Sequence, residues 1–246
     1  TKDGYKIKSR ARCATDTLSV SDWTPELTIK VEYINKPDAP TGPTEGLPGT
    51  SYTYTTGGAF SSIGDPVEYQ FDWKGDGTDL STWGSATQSK TWTTGGNYSV
   101  KARARCVIHP TIVSDWSSAL AVKIEKITAP TTPTQTPSGV LAVYTACTYS
   151  TGGATSNLGH LVQYFIDYGD GSNSGWLPVG TTNALKTWLV GGVYYVRAKA
   201  RCATDTFVES DWSNTLTVQI EIVLNPNTPT GPTPVPRNHV PPDTYT

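Results

Sequence analysis

The sequence predicts an all-β chain of tandem antiparallel β-sandwiches joined by Pro/Thr-rich linkers, and three observations predict it. One motif recurs three times at a nearly constant spacing. Within each unit, apolar residues alternate with polar ones at a period of two. Gly, Pro, Asn and Asp clusters punctuate the chain about every ten residues, which keeps the strands short and favours a sandwich. No stretch sustains helical spacing.

The recurring string is Lys8-Ser-Arg-Ala-Arg-Cys13, then Lys101-Ala-Arg-Ala-Arg-Cys106, then Arg197-Ala-Lys-Ala-Arg-Cys202, each followed by a Ser-Asp-Trp that ends at Trp23, Trp116 and Trp212. The Cys and Trp positions give the same two spacings, 93 and 96 residues. A matching first half precedes the second and third copies: Thr56-Gly-Gly58 with Thr151-Gly-Gly153, Gly75-Asp-Gly77 with Gly169-Asp-Gly171, and Lys90-Thr-Trp92 with Lys186-Thr-Trp188. Residues 1–35 are therefore the closing part of a repeat, 36–126 and 127–222 are whole repeats, and 223–246 are a linker and the first strand of another. Pro/Thr stretches at 37–48, 130–137 and 226–236 are expected to act as stiff extended connectors. The sequence has no Met, as expected of a processed product or an interior window of a longer array; neighbouring copies completing each other's half domains by strand exchange is the alternative.

Taken in order, the opening strand of the first whole unit carries Tyr52 and Tyr54 inward. In Val67-Glu-Tyr-Gln-Phe-Asp-Trp73 the residues Val67, Tyr69, Phe71 and Trp73 share one face, and Glu68, Gln70 and Asp72 the other. From Tyr98 to Cys106 the inward set is Tyr98, Val100, Ala102, Ala104 and Cys106, leaving Ser99, Lys101, Arg103 and Arg105 outward. Leu120-Ala-Val-Lys-Ile124 alternates in the same way.

The run Phe71-Asp-Trp-Lys-Gly-Asp-Gly-Thr78, then Lys90-Thr-Trp92, then Gly95-Gly-Asn-Tyr-Ser-Val100 resembles the PKD-type immunoglobulin-like domain. Asp167-Tyr-Gly-Asp-Gly-Ser172, Trp188 and Gly191-Gly-Val-Tyr-Tyr-Val196 repeat that order, and Lys74 is an insertion peculiar to the first unit. The second half of each unit resembles fibronectin type III domains of the cytokine-receptor kind, in which a strand of alternating Arg precedes a Trp-Ser-x-Trp-Ser box; half a box is present, ending Trp116-Ser and Trp212-Ser. The resemblance implies tandem immunoglobulin-like sandwiches of the sort found in bacterial and archaeal surface and secreted proteins.

Several side chains invite a role. Arg103 and Arg105 face outward a hairpin away from Trp116, so a guanidinium stacked on an indole is expected there, and likewise for Arg201 with Trp212. Trp83 and Trp176 follow the Gly-Asp-Gly turns, where they would either hold polysaccharide or cap the core. Asp72, Asp76 and Asp79 in one unit, and Asp167 and Asp170 in the other, offer carboxylates to calcium; a turn in which Asp and Gly satisfy the backbone explains them at less cost. Cys147 and Cys202 both belong to inward-facing series 55 residues apart, a separation suited to bridging the two sheets of an immunoglobulin-like fold. A Cys147–Cys202 disulfide and an oxidising compartment are expected, with two buried thiols as the alternative. Cys106 is expected to face Tyr52, and Cys13 lacks its half of a domain. Asn97-Tyr-Ser99 is a glycosylation sequon expected in a turn.

Only 16% of residues are charged, and a net charge of −2 argues against nucleic acid or an acidic membrane surface as partner. No window approaches the apolar length of a membrane span. His109, His160 and His239 stand at non-equivalent positions, and no nucleophile neighbours a candidate base, so neither an enzyme nor a cofactor is expected. The expected function is a non-catalytic extracellular stalk, fibre or surface layer whose partners are copies of itself; a polysaccharide-binding module or adhesin is the alternative.

Overall fold

A computed structural model describes residues 4–222, and the expected strand at 223–246, with His239, lies outside the described residues. No helix occurs among the described residues. Sixteen strands form five sheets that build one partial and two full sandwiches.

The first full sandwich packs a four-stranded sheet on a two-stranded one. Strands β3 (Glu45–Gly46), β8 (Leu120–Ile124), β7 (Gly96–Cys106) and β5 (Val67–Asp72) lie side by side in that order, opposite β4 (Ser51–Thr55) paired with β6 (Thr87–Thr91). In the second, β10 (Leu141–Ala142), β16 (Leu216–Glu221), β15 (Gly192–Cys202), β12 (Val162–Asp167) and β13 (Asn173–Trp176) face β14 (Asn183–Thr187), β11 (Ala146–Ser150) and β9 (Thr134–Thr136). The pairing is antiparallel except at one edge of each larger sheet, where β3 runs parallel to β8 and β10 to β16.

Period-two alternation forms these strands because only one face of each sheet meets the other sheet. Along β7, Val100, Ala102, Ala104 and Cys106 are fully buried. Tyr54, Phe71, Trp73, Trp92, Val100, Val122 and Ile124 make one apolar cluster, and Ile34, Tyr69, Ala104 and Cys106 make a second at the opposite end of the same sandwich. The second sandwich has one continuous core around Tyr149, Ile166, Trp188 and Val196. The small Ala residues of β7 and β15 let the aromatics of the facing sheet fill the interior.

Residues 4–35 form a two-stranded sheet with no facing sheet among the described residues. β1 (Tyr5–Ile7) and β2 (Leu27–Ile29) pair alone, at the positions of β7 and β8. Ile7 and Ile29 are 48% and 42% exposed, whereas their counterparts Val100 and Val122 are 0% and 1% exposed.

The Pro/Thr stretches within the described residues are packed as well as connecting. Thr41 bridges Thr55, Pro40 is fully buried, and the Tyr54 hydroxyl donates to the Pro43 carbonyl at 2.9 Å. The 130–137 stretch contributes β9 to the second sandwich. Proline suits such an edge because it has no N–H to offer a further strand. Burial of the Tyr54 phenol pushes its pKa up to about 12.

The expected Cys147–Cys202 disulfide is not formed; all four cysteines are free. Both side chains do enter one core, but at different heights along it. Cys202 ends β15 beside His160, whereas Cys147 sits near Pro137 toward the other pole. Their counterparts behave alike: Cys106 and Tyr52 belong to the two separate clusters of the first sandwich, so Cys106 does not face Tyr52. The inference to an oxidising compartment lapses with the bond.

Candidate functional site: a stacked ladder and the joint between repeats

Two side-chain arrays recur from repeat to repeat. The first is the outward face of β7 and β15. Arg103 lies over Trp116 at 4.6 Å and Trp83 at 5.3 Å, and Arg105 lies over Trp83 at 4.4 Å. Gln70 Oε1 accepts from Arg103 Nε and Nη2 at 3.0 and 2.7 Å, and Glu68 Oε1 accepts from Arg105 Nε at 2.7 Å. In the second sandwich the order is Arg197 over Trp212 at 4.1 Å, Lys199 near Trp212 and Trp176, and Arg201 over Trp176 at 4.3 Å. The outer guanidiniums thus take different indoles from those expected: Arg105 stacks on Trp83 and Arg201 on Trp176, not on Trp116 and Trp212. The cause is register. Ser114 and Ser117 donate to Ala104 and Ala102, which sets Trp116 beside Arg103, while the Tyr69–Gly84 bridge brings Trp83 in from the other side. Trp83 and Trp176, the candidate sugar contacts, are rungs of this ladder.

Each stacked pair stabilises by about 0.5–2 kcal/mol. Trp83→Ala, which strips two guanidiniums of a ring, is expected to lower the stability of the first sandwich by about 1–2 kcal/mol in denaturant unfolding. A double-mutant cycle with Arg105→Ala should return a coupling of about 1 kcal/mol. Unchanged stability together with lost polysaccharide retention would instead make Trp83 a sugar contact.

The Gly-Asp-Gly turns use their carboxylates internally. Buried Asp72 accepts from the backbone of Lys74, Gly75 and Gly77, and Asp76 accepts from Thr78. Asp79 pairs with Lys90 and Asp170 with Lys186, while Asp167 accepts from Gly169 and Arg197. Gly75 has φ +80°, and a Cβ there would meet the Ser99 carbonyl at 2.4 Å, so the motif needs its glycine. Asn97 lies within β7 rather than in a turn, and its amide oxygen accepts from Asn157 at 3.3 Å.

The second array is the joint between repeats, which sequence reasoning missed. Ile34 bridges Ser61 as the chain enters the first full sandwich, and Ile127 bridges Ser156 at the second. One Glu precedes each bridge. Ser61 Oγ donates to Glu32 Oε1 at 2.6 Å, and Ser156 Oγ donates to Glu125 Oε1 at 2.6 Å. Each Glu then meets a histidine: Glu32 Oε2 lies 2.7 Å from His109 Nδ1 and Glu125 Oε2 lies 2.9 Å from His160 Nδ1. A buried cysteine closes each group, with Cys106 Sγ 3.8 Å from His109 Nδ1 and Cys202 Sγ 3.6 Å from His160 Nδ1. Asp65 Oδ2 joins the first group, 3.4 Å from His109 and 3.7 Å from Cys106. The Ser61 hydrogen bond holds the Glu32 carboxyl below its ordinary range, and burial pushes the Cys106 thiol up.

The signal was in the sequence as an exchange. Asp65 aligns with His160 at a spacing of 95, and His109 aligns with Asp205 at 96, so the two repeats hold one Asp and one His at swapped positions. Glu32, Glu125 and Glu221 keep the 93 and 96 residue period of the Cys series. A histidine compared only with other histidines hides this pattern.

No family model matches the chain, and no curated protein matches it. Among solved structures, the chain is similar to the PKD domain of an M14-like peptidase from a Thermoplasmatales archaeon, at 33% identity over 37% of this chain and 94% of that one, with a TM-score of 0.31. It is also similar to the fibronectin(III)-like modules of Clostridium thermocellum CbhA, at 17% identity over 74% of this chain and 94% of that one, TM-score 0.32. The human OSCAR ligand-binding domain matches at 16% identity over 74% and 97%, TM-score 0.31. With the repeated Gly-Asp-Gly and Arg/Trp motifs on facing four- to five-stranded and two- to three-stranded sheets, the described units are two-sheet β-sandwiches of the immunoglobulin-like fold.

Proposed function

We propose that this chain is a stiff segment of a non-catalytic extracellular array, a stalk, fibre or surface layer, in which successive sandwiches are held in a fixed relation. The observation that carries the reading is the duplicated joint. At each joint the chain leaves one sandwich through a Glu and is bridged at once to the next, so few residues are left free to flex. At the second joint Asn157 adds three ties: it accepts from Lys126 N at 2.8 Å, and donates to the Ile124 carbonyl at 3.0 Å and to Asn97 Oδ1 at 3.3 Å. A polar, weakly charged, Thr-rich surface suits a structural element exposed to varying salt.

Electron microscopy of the native material tests this. An eleven-residue strand such as β7 sets a repeat length of about 35–40 Å, and filaments or arrays with an axial period of that order are expected. Dispersed particles that are retained on polysaccharide would overturn the structural reading in favour of a binding module.

A further inference from the structure

We infer that each joint between repeats is a binding site for a thiophilic divalent cation of the zinc class, shared between the Glu of one repeat and the Cys/His/Asp set of the next. At the first joint the ligand atoms are Glu32 Oε2, Asp65 Oδ2, Cys106 Sγ and His109 Nδ1; at the second they are Glu125 Oε2, His160 Nδ1 and Cys202 Sγ.

Four observations converge on it. The donor atoms of each group lie within 4.8 Å of one another, drawn from segments far apart in sequence. Zinc bonds of about 2.3 Å to sulfur and about 2.0–2.2 Å to nitrogen or oxygen put tetrahedral neighbours about 3.3–3.6 Å apart. The Cys–His separations of 3.8 and 3.6 Å, the Cys106–Asp65 separation of 3.7 Å and the Asp65–His109 separation of 3.4 Å match that spacing. The Glu–His distances, 2.7 and 2.9 Å, would have to open by several tenths of an ångström.

Burial is the third. Glu125 is 0% exposed, and its Oε2 points at His160 without hydrogen-bond alignment, so a buried carboxylate oxygen aims into the group with no donor to satisfy it. Leaving such an oxygen unmatched is costly, and a cation bound there removes the cost. The fourth is the exchange of Asp and His between the repeats. The histidine comes from opposite backbone positions in the two repeats, His109 in one and His160 in the other, yet in both it reaches the joint Glu and the buried Cys. The soft sulfur and the imidazole select zinc-like ions over calcium or magnesium. Binding would deprotonate the thiol, releasing the proton to solvent, and its thiolate would become a ligand.

The two sites differ. The first has four protein ligands and is closed. The second has three, with Asp205 at the position of His109 but outside the ligand group, so water or the Asp205 carboxylate would complete it. The first is therefore expected to bind more tightly. A metal in these sites would pin each joint through a ligand from either side; the site itself stands on the ligand geometry, independently of the array reading.

The test is cobalt(II) titration of the full chain carrying Cys13→Ala, which removes the exposed thiol. Two equivalents should bind, giving the intense visible bands of tetrahedral cobalt and a thiolate-to-cobalt charge-transfer band, and zinc should displace both. Cys106→Ala and Cys202→Ala should each lose one equivalent, and the pair together should lose the charge-transfer band. His109→Gln, a change at a half-exposed side chain that the fold tolerates, should weaken the first site at least tenfold while circular dichroism stays unchanged. Failure to acquire tetrahedral bands, or bands that survive in the Cys106/Cys202 double variant, would overturn the inference and leave the groups as plain Glu–His contacts.

Discussion

Trp188→Ala should bring the second sandwich close to unfolding while the first stays folded. Trp188 is 1% exposed, stacks on Tyr194 at 4.0 Å, and meets Tyr149 and Tyr168 edge-on at 6.3 Å each. Its indole Nε1 donates to the Tyr149 hydroxyl at 3.0 Å inside the core. Truncating a buried Trp costs about 3–5 kcal/mol, and domains of this size hold only about 5–15 kcal/mol in all. Chemical denaturation should therefore resolve into two transitions, with the second sandwich unfolding far earlier. Trp188→Phe should recover much of the packing but not the hydrogen bond, and fall between. A single transition shifted as a whole would show that the sandwiches unfold as one unit.

Gly95→Ala should be nearly as damaging, although it adds a single methyl group. A Cβ at Gly95 would sit 1.9 Å from the Glu125 carbonyl oxygen and 2.9 Å from Lys126 Cβ, and the carbonyl belongs to backbone that cannot rotate away. The Gly95 turn and the end of β8 must then separate, at a cost of about 3 kcal/mol. Because Glu125 is the joint residue, the second joint should loosen too, seen as a broader distribution of dimensions in small-angle scattering. Gly57→Ala is the control: a Cβ there meets nothing within 4 Å and φ is not positive, so stability should stay level or rise slightly. Equal effects at the two glycines would show that backbone entropy, not contact with Glu125, sets the outcome.

Most of the fold was legible because its cause is local. Alternation in β5 and β7 follows from one face being covered, and the inward residues Tyr69, Phe71, Val100, Ala102, Ala104 and Cys106 are buried. What sequence did not reveal was height along the sandwich. Period two says that Cys147 and Cys202 point inward but not that they sit at opposite poles, and it places Arg105 outward without choosing between Trp83 and Trp116. Those choices depend on register between strands distant in sequence. The outward face also misled, since Gln70 and Asp72, polar and opposite to the core, are 8% and 3% exposed beneath the ladder and within the turn. The joint was hidden for another reason, because its ligand types trade places between repeats and only the aligned pair of columns shows them.

The construction of that joint has a consequence for symmetry. One end of each unit supplies the carboxylate and the other end receives it, so the contact is heterologous, with unlike surfaces meeting. A contact of that kind relates every unit to its neighbour by the same directed rotation and translation, and unless the rotation happens to close into a ring it generates a polar screw without a natural stopping point. Each described joint thus has a direction: a glutamate of the preceding repeat meets the cysteine and histidine of the following one.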